Sequence, residues 1–196
     1  MKNTFIKYII ATVYRPLLIR HLSTTRRYAY KGIDLKIPPG VFHPKYFSST
    51  KLLLHYITNL SVKGKSLLEL GAGSGLISLW ASREGAQVTA TDINPLAIDY
   101  LKHNMSFNHQ DFTIILSDMF GQIPVEKFDI IAINPPYYQK KPQSYSDYAW
   151  YCGENGEYFK ALFSGLKDYI HAGSIICMVL CDGCNRNMIS NLASQY

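Results

Sequence analysis

Three short runs in this sequence combine residue types and spacings that could do chemistry. The first is Glu69-Leu70-Gly71-Ala72-Gly73-Ser74-Gly75, an apolar stretch that runs into three alternating glycines. Glycine has no Cβ, so a turn of this kind can fold tightly and let a ligand approach the backbone. Its context adds weight, because a strand pattern precedes it and a helical pattern follows. The spacing is GxGxG rather than GxGxxG, and Glu69 stands two residues before the first glycine. A carboxylate there would repel a pyrophosphate and attract an ammonium group. The run therefore argues against a dinucleotide and for a cofactor that carries an amino acid.

The second run is Thr91-Asp92-Ile93-Asn94. An acid about 20 positions after a glycine loop, at the end of a strand, is placed to accept hydrogen bonds from ribose hydroxyls. The plainer use of such a cluster is a helix N-cap, for which Asn94 is at least as well placed. With the glycine loop upstream, Asp92 is expected to hold a ribose and Ile93 to face the same ligand. Asp118, just past the next strand, is expected near an adenine ring.

The third run is Ala132-Ile133-Asn134-Pro135-Pro136-Tyr137-Tyr138. Two prolines directly after a buried strand stop strand pairing and fix the backbone. They would leave the Asn134 side chain and the carbonyls of Asn134 and Pro135 pointing in a set direction at the open end of a sheet. A planar amino group wants two acceptors in that arrangement, and Tyr137 offers a ring to stack on. On its own, the run would be a strand-ending turn.

ELGAGSG, TDIN and NPPY, in this order and spacing, resemble the class I methyltransferases that use S-adenosylmethionine. NPPY resembles in particular the branch that methylates exocyclic amines of adenine or guanine and the glutamine amide of release factors. Gly40-Val41-Phe42-His43-Pro44, with residues 48–54 after it, resembles the lead-in that covers the cofactor in that branch. Cys152-Gly153-Glu154-Asn155-Gly156-Glu157-Tyr158 resembles the glycine–acid–glycine turn that follows NPPY in the glutamine and adenine enzymes. The likeness spans about residues 40–182.

The resemblance implies that Gly71, Ala72, Gly73 and Gly75 approach the cofactor, with Glu69 at its amino acid part and Phe42 over it. It implies that Asp92 and Ile93 lie at the ribose and Asp118 at the adenine. Asn134, between cofactor and acceptor, would bind the acceptor nitrogen with the Pro135 carbonyl. Pro136 would fix the turn and Tyr137 would stack on the acceptor. In this class two further strands close the sheet as an antiparallel edge. The sequence stops at Tyr196, directly after the last expected helix, so that edge is expected to be absent.

The elements that must position these runs follow from the pattern of apolar residues. Residues 2–22 read as helical, restarting at Pro16, and residues 28–42 as a short hairpin or strand with a turn. Residues 48–60 read as a helix capped by Ser49. Strands are expected at 66–70, 87–91, 112–116, 128–133 and, long and buried, 174–181. Helices are expected at 76–83, 95–107, 158–170 and 185–193. Short apolar strands alternating with helices predict an α/β, Rossmann-like, doubly wound and mainly parallel sheet with helices on both faces. Residues 1–40 are expected as a basic helical and hairpin extension, and residues 41–196 as the cofactor-binding domain.

Composition sets the remaining bounds. With 47% hydrophobic residues the chain can bury a core, which excludes disorder. No apolar run is long enough to span a membrane, and no signal peptide is legible, so a cytoplasmic protein is expected. Cys181 and Cys184 form a single CxxC, but Cys152 and Cys177 supply no second pair at similar spacing, so no metal is expected.

Charge is uneven. Residues 1–65 hold twelve Lys or Arg against the single acid Asp34, while the remainder holds eight basic and thirteen acidic residues. Such a leader suits a polyanion, either nucleic acid or an anionic surface; its plainer use is as a solvated face. With the aromatics Tyr137, Tyr138, Tyr145, Tyr148, Trp150 and Tyr151 after the proline turn, it favours an RNA base as the acceptor. The rival acceptor is a protein glutamine. Enzymes of that type in the resembling branch carry a larger N-terminal recognition domain than the roughly 40 residues available here. A non-catalytic docking module is a further rival, and Glu69 with NPPY disfavours a nicotinamide dehydrogenase.

Overall fold

The structure, a computed structural model, describes Thr12 and residues 14–196. Helix α1 (Arg15–Leu22) has Pro16 in its first turn, where a missing N–H breaks no helical bond. Pro16 thus stands at the start of a helix, as expected; Tyr14 before it already has helical backbone angles, and most of the expected helical stretch before it lies outside the described residues.

The chain then forms a hairpin, in which β1 (Arg26–Tyr30) pairs antiparallel with β2 (Ile33–Ile37). Its turn residues Lys31 and Gly32 hold φ of 50° and 73°, the geometry that matches a two-residue turn to the twist of its strands. Alternation along β2 buries Ile33, Leu35 and Ile37. The hairpin is tied to the sheet domain by two asparagines. Lys36 N–H donates to Asn104 Oδ1 at 2.8 Å, and Asn104 Nδ2 donates back to the Lys36 carbonyl at 3.0 Å. Asn108 makes the same pair of bonds with Asp34.

Helix α2 (Ser49–Ile57) follows the lead-in. Ser48 is its N-cap, without a side-chain cap bond, and Ser49 is its first helical residue, so the cap expected at Ser49 is corrected by one position. The buried Ser49 hydroxyl has no hydrogen-bond partner.

Strands β3 (Ser66–Leu70), β4 (Gln87–Asp92), β5 (Thr113–Leu116), β6 (Ile130–Ile133) and β7 (Ile175–Met178) form one sheet in the order β5-β4-β3-β6-β7. Every neighbouring pair is parallel. Helices α3 (Leu76–Arg83), α4 (Pro95–Phe107), α5 (Glu157–Leu166) and α6 (Arg186–Ala193) complete the domain.

Alternation along the strands separates two cores. Leu67, Ile130 and Ala132 face the hairpin, α2, α3 and α4; Leu68, Leu70, Ile131 and Ile133 face α5 and α6. This is the expected α/β, doubly wound architecture. Strand order reverses between β3 and β6, so the loops leaving these two strands diverge and open a crevice at their C-terminal ends.

Two expectations change. The long buried strand over residues 174–181 is only Ile175–Met178, with Ile175 and Ile176 40% and 39% exposed. Because β7 lies at the sheet edge and pairs on one side only, its apolar run is only partly covered. The helix expected over 158–170 stops at Leu166, and Tyr169 beyond it turns inward to donate its hydroxyl to the Ile123 carbonyl at 3.0 Å.

Candidate cofactor and acceptor site

The crevice at the switch point holds a pocket floored by Leu70, Gly71 and Gly73 from the β3 loop and by Thr91, Asp92, Ile93 and Asn94 from the end of β4. The glycine loop is shaped by backbone needs. Gly75, at φ 79°, is the N-cap of α3, and a Cβ there would run into Leu101 of α4. At Gly71, at φ 72°, a Cβ would meet nothing within 4 Å, so its backbone faces open space.

Asp92 knits the loop to β4. Its Oδ2 accepts from Gly73 N–H at 2.8 Å and its Oδ1 from Asn94 N–H at 2.9 Å. Burial raises its pKa while these backbone bonds hold it down. Each oxygen keeps acceptor capacity beyond one bond, and the residue lines the pocket. Asn94 caps α4, its side chain accepting from Leu96 N–H at 3.0 Å.

The opposite wall comes from Ser117, Asp118 and Met119 after β5. The roof comes from the lead-in residues Gly40, Val41 and Phe42 and from Tyr145, Tyr148 and Ala149 of a short 3₁₀ helix (Tyr145–Ala149). Phe42 is held by ring contacts to Phe47 at 4.9 Å and Trp150 at 5.1 Å, which join the two roof segments. His43, next to Phe42, is a buried structural residue. Its Nδ1 accepts from Lys45 N–H, and burial drives its pKa down to about 4.

Of the residues singled out from sequence, the structure brings Phe42, Gly71, Gly73, Asp92, Ile93, Asp118 and Pro136 to the pocket wall. Ala72 is buried beneath it, its N–H donating to the Thr91 carbonyl at 2.8 Å. Glu69 departs from expectation. It shares a sheet face with Leu67, under the start of α3, and its Oε2 accepts from the backbone N–H of Ser78 at 2.8 Å and also from the Ser78 hydroxyl. Burial pushes its pKa up to about 8, with the Ser78 bonds opposing and the Asp92 charge adding. Glu69 therefore caps a helix from below and is not among the pocket-lining residues.

The proline turn leaves β6 beside this pocket. Asn134 follows Ile133, which faces the α5 core, so its side chain turns to the other face. There its Nδ2 donates to Thr50 Oγ1 of α2 at 3.2 Å. Among the described residues no group donates to Asn134 Oδ1 or to the Pro135 carbonyl. Tyr137 packs against the second core and lies edge-on to Tyr138 at 4.9 Å. Burial, then the Cys181 thiol beside it, pushes its pKa up to about 12. Tyr138, 47% exposed, is the more open ring.

The chain after the turn is pinned back onto it. Tyr138 N–H donates to the Trp150 carbonyl and Cys152 N–H to the Tyr138 carbonyl. The Gly153–Gly156 turn then opens α5, with Glu157 accepting from Asn155 N–H at 2.9 Å. Sequence reasoning did not single out Thr50, which bonds Asn134, or Ser117 and Met119, which line the pocket, and it grouped Tyr145 and Tyr148 with the acceptor although they line this same pocket.

Among the described residues no group of three or more His, Cys, Asp or Glu could hold a metal ion. Nor is any described helix long and apolar enough to cross a membrane. The four cysteines are free, and Cys177 sits in the first core as a small apolar group.

The chain is similar to known methyltransferases. A family model described as the methyltransferase small domain matches residues 32–150, more than half of the chain. A putative protein N5-glutamine methyltransferase from Methanocaldococcus jannaschii is 34% identical over 152 residues, covering 74% of this chain and 75% of its own. The ribosomal RNA small subunit methyltransferase C of Hamiltonella defensa is 30% identical over 119 residues, and there the chain spans only 35% of the relative's length.

Among solved structures, the 16S rRNA N2 G1207 methyltransferase of T. thermophilus, in complex with AdoMet and guanosine, superposes with a TM-score of 0.67 at 20% identity. It covers 87% of this chain and 44% of its own. A Pyrococcus furiosus methyltransferase superposes at 0.61 and 20% identity over 95% of this chain and 87% of its own. These two show the shared fold. The match over residues 32–150 takes in the lead-in, the glycine loop, Asp92 and the proline turn, and by it the chain belongs to the methyltransferase small domain family.

Proposed function

We propose that this chain is an S-adenosylmethionine-dependent methyltransferase acting on a planar nitrogen, with the exocyclic amine of an RNA base as its acceptor. The observation that carries the reading is the acceptor turn. Among the described residues neither Asn134 Oδ1 nor the Pro135 carbonyl has a donor, Asn134 Nδ2 is tied to Thr50, and Pro136 of the same turn lines the pocket.

The pocket fits the cofactor. The open space over Gly71 admits a ligand against the backbone, and Asp92 keeps acceptor capacity for hydroxyls. Phe42, Ile93, Ala97 and Met119 offer apolar surface to a base. Asp118 stands at the same wall to accept from an exocyclic amine. Bound there, the cofactor supplies a methyl group already activated by its sulfonium.

The chain's own residues then supply alignment. The amine or amide of the acceptor is a poor nucleophile because its lone pair is delocalised. Two acceptors, Asn134 Oδ1 and the Pro135 carbonyl, bond its N–H groups and favour the pyramidal nitrogen that develops as the new bond forms. Pro135 and Pro136 fix the backbone that carries them.

The RNA reading is supported by the rim. Tyr138, Lys140 and Lys141, directly after the proline turn, are exposed, so a ring for stacking adjoins cations for phosphates. A second reading, a glutamine amide in a protein, is supported by the Methanocaldococcus relative. Its coverage makes that protein about the length of this chain, so the objection that a glutamine enzyme needs a larger recognition domain loses force.

The test is to incubate the protein with methyl-labelled S-adenosylmethionine and an extract of its host lacking the gene, then digest with ribonuclease or protease. Label released by ribonuclease is expected. Label released only by protease moves the acceptor to glutamine, and no transfer to either pool refutes the proposal.

A further inference from the structure

We infer that Thr50 is the positioning residue that holds the Asn134 amide with its oxygen turned toward the acceptor; this rests on the acceptor reading of Asn134 given above. The two residues lie 84 positions apart and meet through one bond, Asn134 Nδ2 to Thr50 Oγ1 at 3.2 Å.

A side-chain amide has a donor end and an acceptor end of nearly the same shape. Turned one way, Asn134 offers Oδ1 to an acceptor N–H; turned the other way, it offers N–H to N–H, and the contact is repulsive. The backbone of the next residue is locked by Pro135, so the Asn134 side-chain torsions are the freedom left to settle. The bond to the Thr50 hydroxyl holds them, and in the structure that hydroxyl, which can also donate, accepts from Nδ2. That satisfies the donor end against α2 and leaves Oδ1 with no protein partner among the described residues. Nor is Oδ1 among the buried polar atoms left without a bond, so the oxygen faces accessible space.

Thr50 is itself well held. It is the second residue of α2, it is buried, and α2 is seated on β7 and α3. Its branched Cβ restricts χ1, so the hydroxyl has few directions to choose from. The lead-in segment thus reaches both halves of the site, roofing the cofactor pocket through Val41 and Phe42 and setting the acceptor amide through Thr50.

Thr50→Val removes the hydroxyl and keeps the shape. With the gene-deletion extract as acceptor pool and S-adenosylmethionine at saturation, transfer by this variant is expected to fall about 10–100-fold. Its dissociation constant for S-adenosylmethionine, read by calorimetry, is expected to stay at the wild-type value. Thr50→Ser should restore most of the rate. In an Asn134→Ala background, Thr50→Val should cost nothing further, because its effect passes through that amide.

A second readout needs no acceptor. The two side-chain amide protons of Asn134, followed by nitrogen-15 NMR, should shift in Thr50→Val and return in Thr50→Ser. Wild-type turnover in Thr50→Val, unchanged Asn134 amide resonances, or an additive loss in the double variant each overturn the inference alone. A wild-type chain that binds S-adenosylmethionine but methylates nothing in the extract overturns the acceptor reading, and the inference with it.

Discussion

The half of the sheet from β3 to β5 and the half formed by β6 and β7 open onto the same crevice, yet they are held by different means. On the first half, the site is backbone knitted to backbone-near groups. Asp92 bonds the N–H of Gly73 and of Asn94, and Ala72 N–H bonds the Thr91 carbonyl. On the second half, Asn134 takes its orientation from a threonine on another element, and the chain after Tyr138 is pinned back at Trp150 and Cys152. From this difference we expect binding to depend on the first half and turnover on the second. A substitution that moved both quantities equally would break that division.

The largest effect is expected from Asn134→Ala. Turnover at saturating S-adenosylmethionine should fall by roughly 10²–10³, the scale of losing a transition-state hydrogen bond. Cofactor affinity by calorimetry should stay near wild type. Asp92→Ala should do the reverse. It should weaken the affinity by about 1–3 kcal/mol, or roughly 5–150-fold, through lost hydroxyl and backbone partners, and spare most of the rate at saturation.

A smaller effect separates the two carboxylates of the first half. Glu69 has its pKa raised from 4.5 to about 8 by burial, so the folded chain holds a proton there that the unfolded chain releases. Its contribution to stability is full below pH 4.5 and is lost as pH rises through about 8. Glu69→Gln should flatten the fall in thermal midpoint across that window and leave cofactor affinity largely intact. A steep loss of affinity would instead return Glu69 to the cofactor's amino acid part. The smallest effect is expected from the rim. Lys140→Ala with Lys141→Ala should weaken RNA binding a few-fold at low salt and reduce the slope of log affinity against log salt by up to about 2. An unchanged slope would remove these lysines from the RNA path.

What could be read from the sequence follows the same division. The glycine loop, Asp92 and the strand–helix alternation were legible because each is fixed within a few residues by turn chemistry and alternation. The proline turn was legible as a turn, and its role came from resemblance.

The charge of Glu69 suits an ammonium, and on that ground alone the sequence points it at the cofactor. Alternation from Leu67 shows that a residue still inside β3 sends its side chain under α3, and that signal was present in the sequence. Thr50 had no local signal, since its partner lies 84 residues away. Tyr145 and Tyr148 stand out in the sequence as aromatics, but only the 3₁₀ helix brings them to the wall of the pocket over the glycine loop. The apolar run of β7 reads as buried, while the expected absence of closing strands points to an edge, and the edge reading is the one the sheet order bears out.

The most direct test of the central claim is to locate the transferred methyl group. RNA and protein from the gene-deletion host are treated with enzyme and deuteromethyl S-adenosylmethionine, digested enzymatically to nucleosides and peptides, and resolved by mass spectrometry. Label on an exocyclic base nitrogen is the expected result, and label on a glutamine amide would keep the planar-nitrogen chemistry with the second acceptor. Label on a ring carbon, a ribose oxygen or a sulfur would contradict the account, because Asn134 and the Pro135 carbonyl would then be holding the wrong kind of atom.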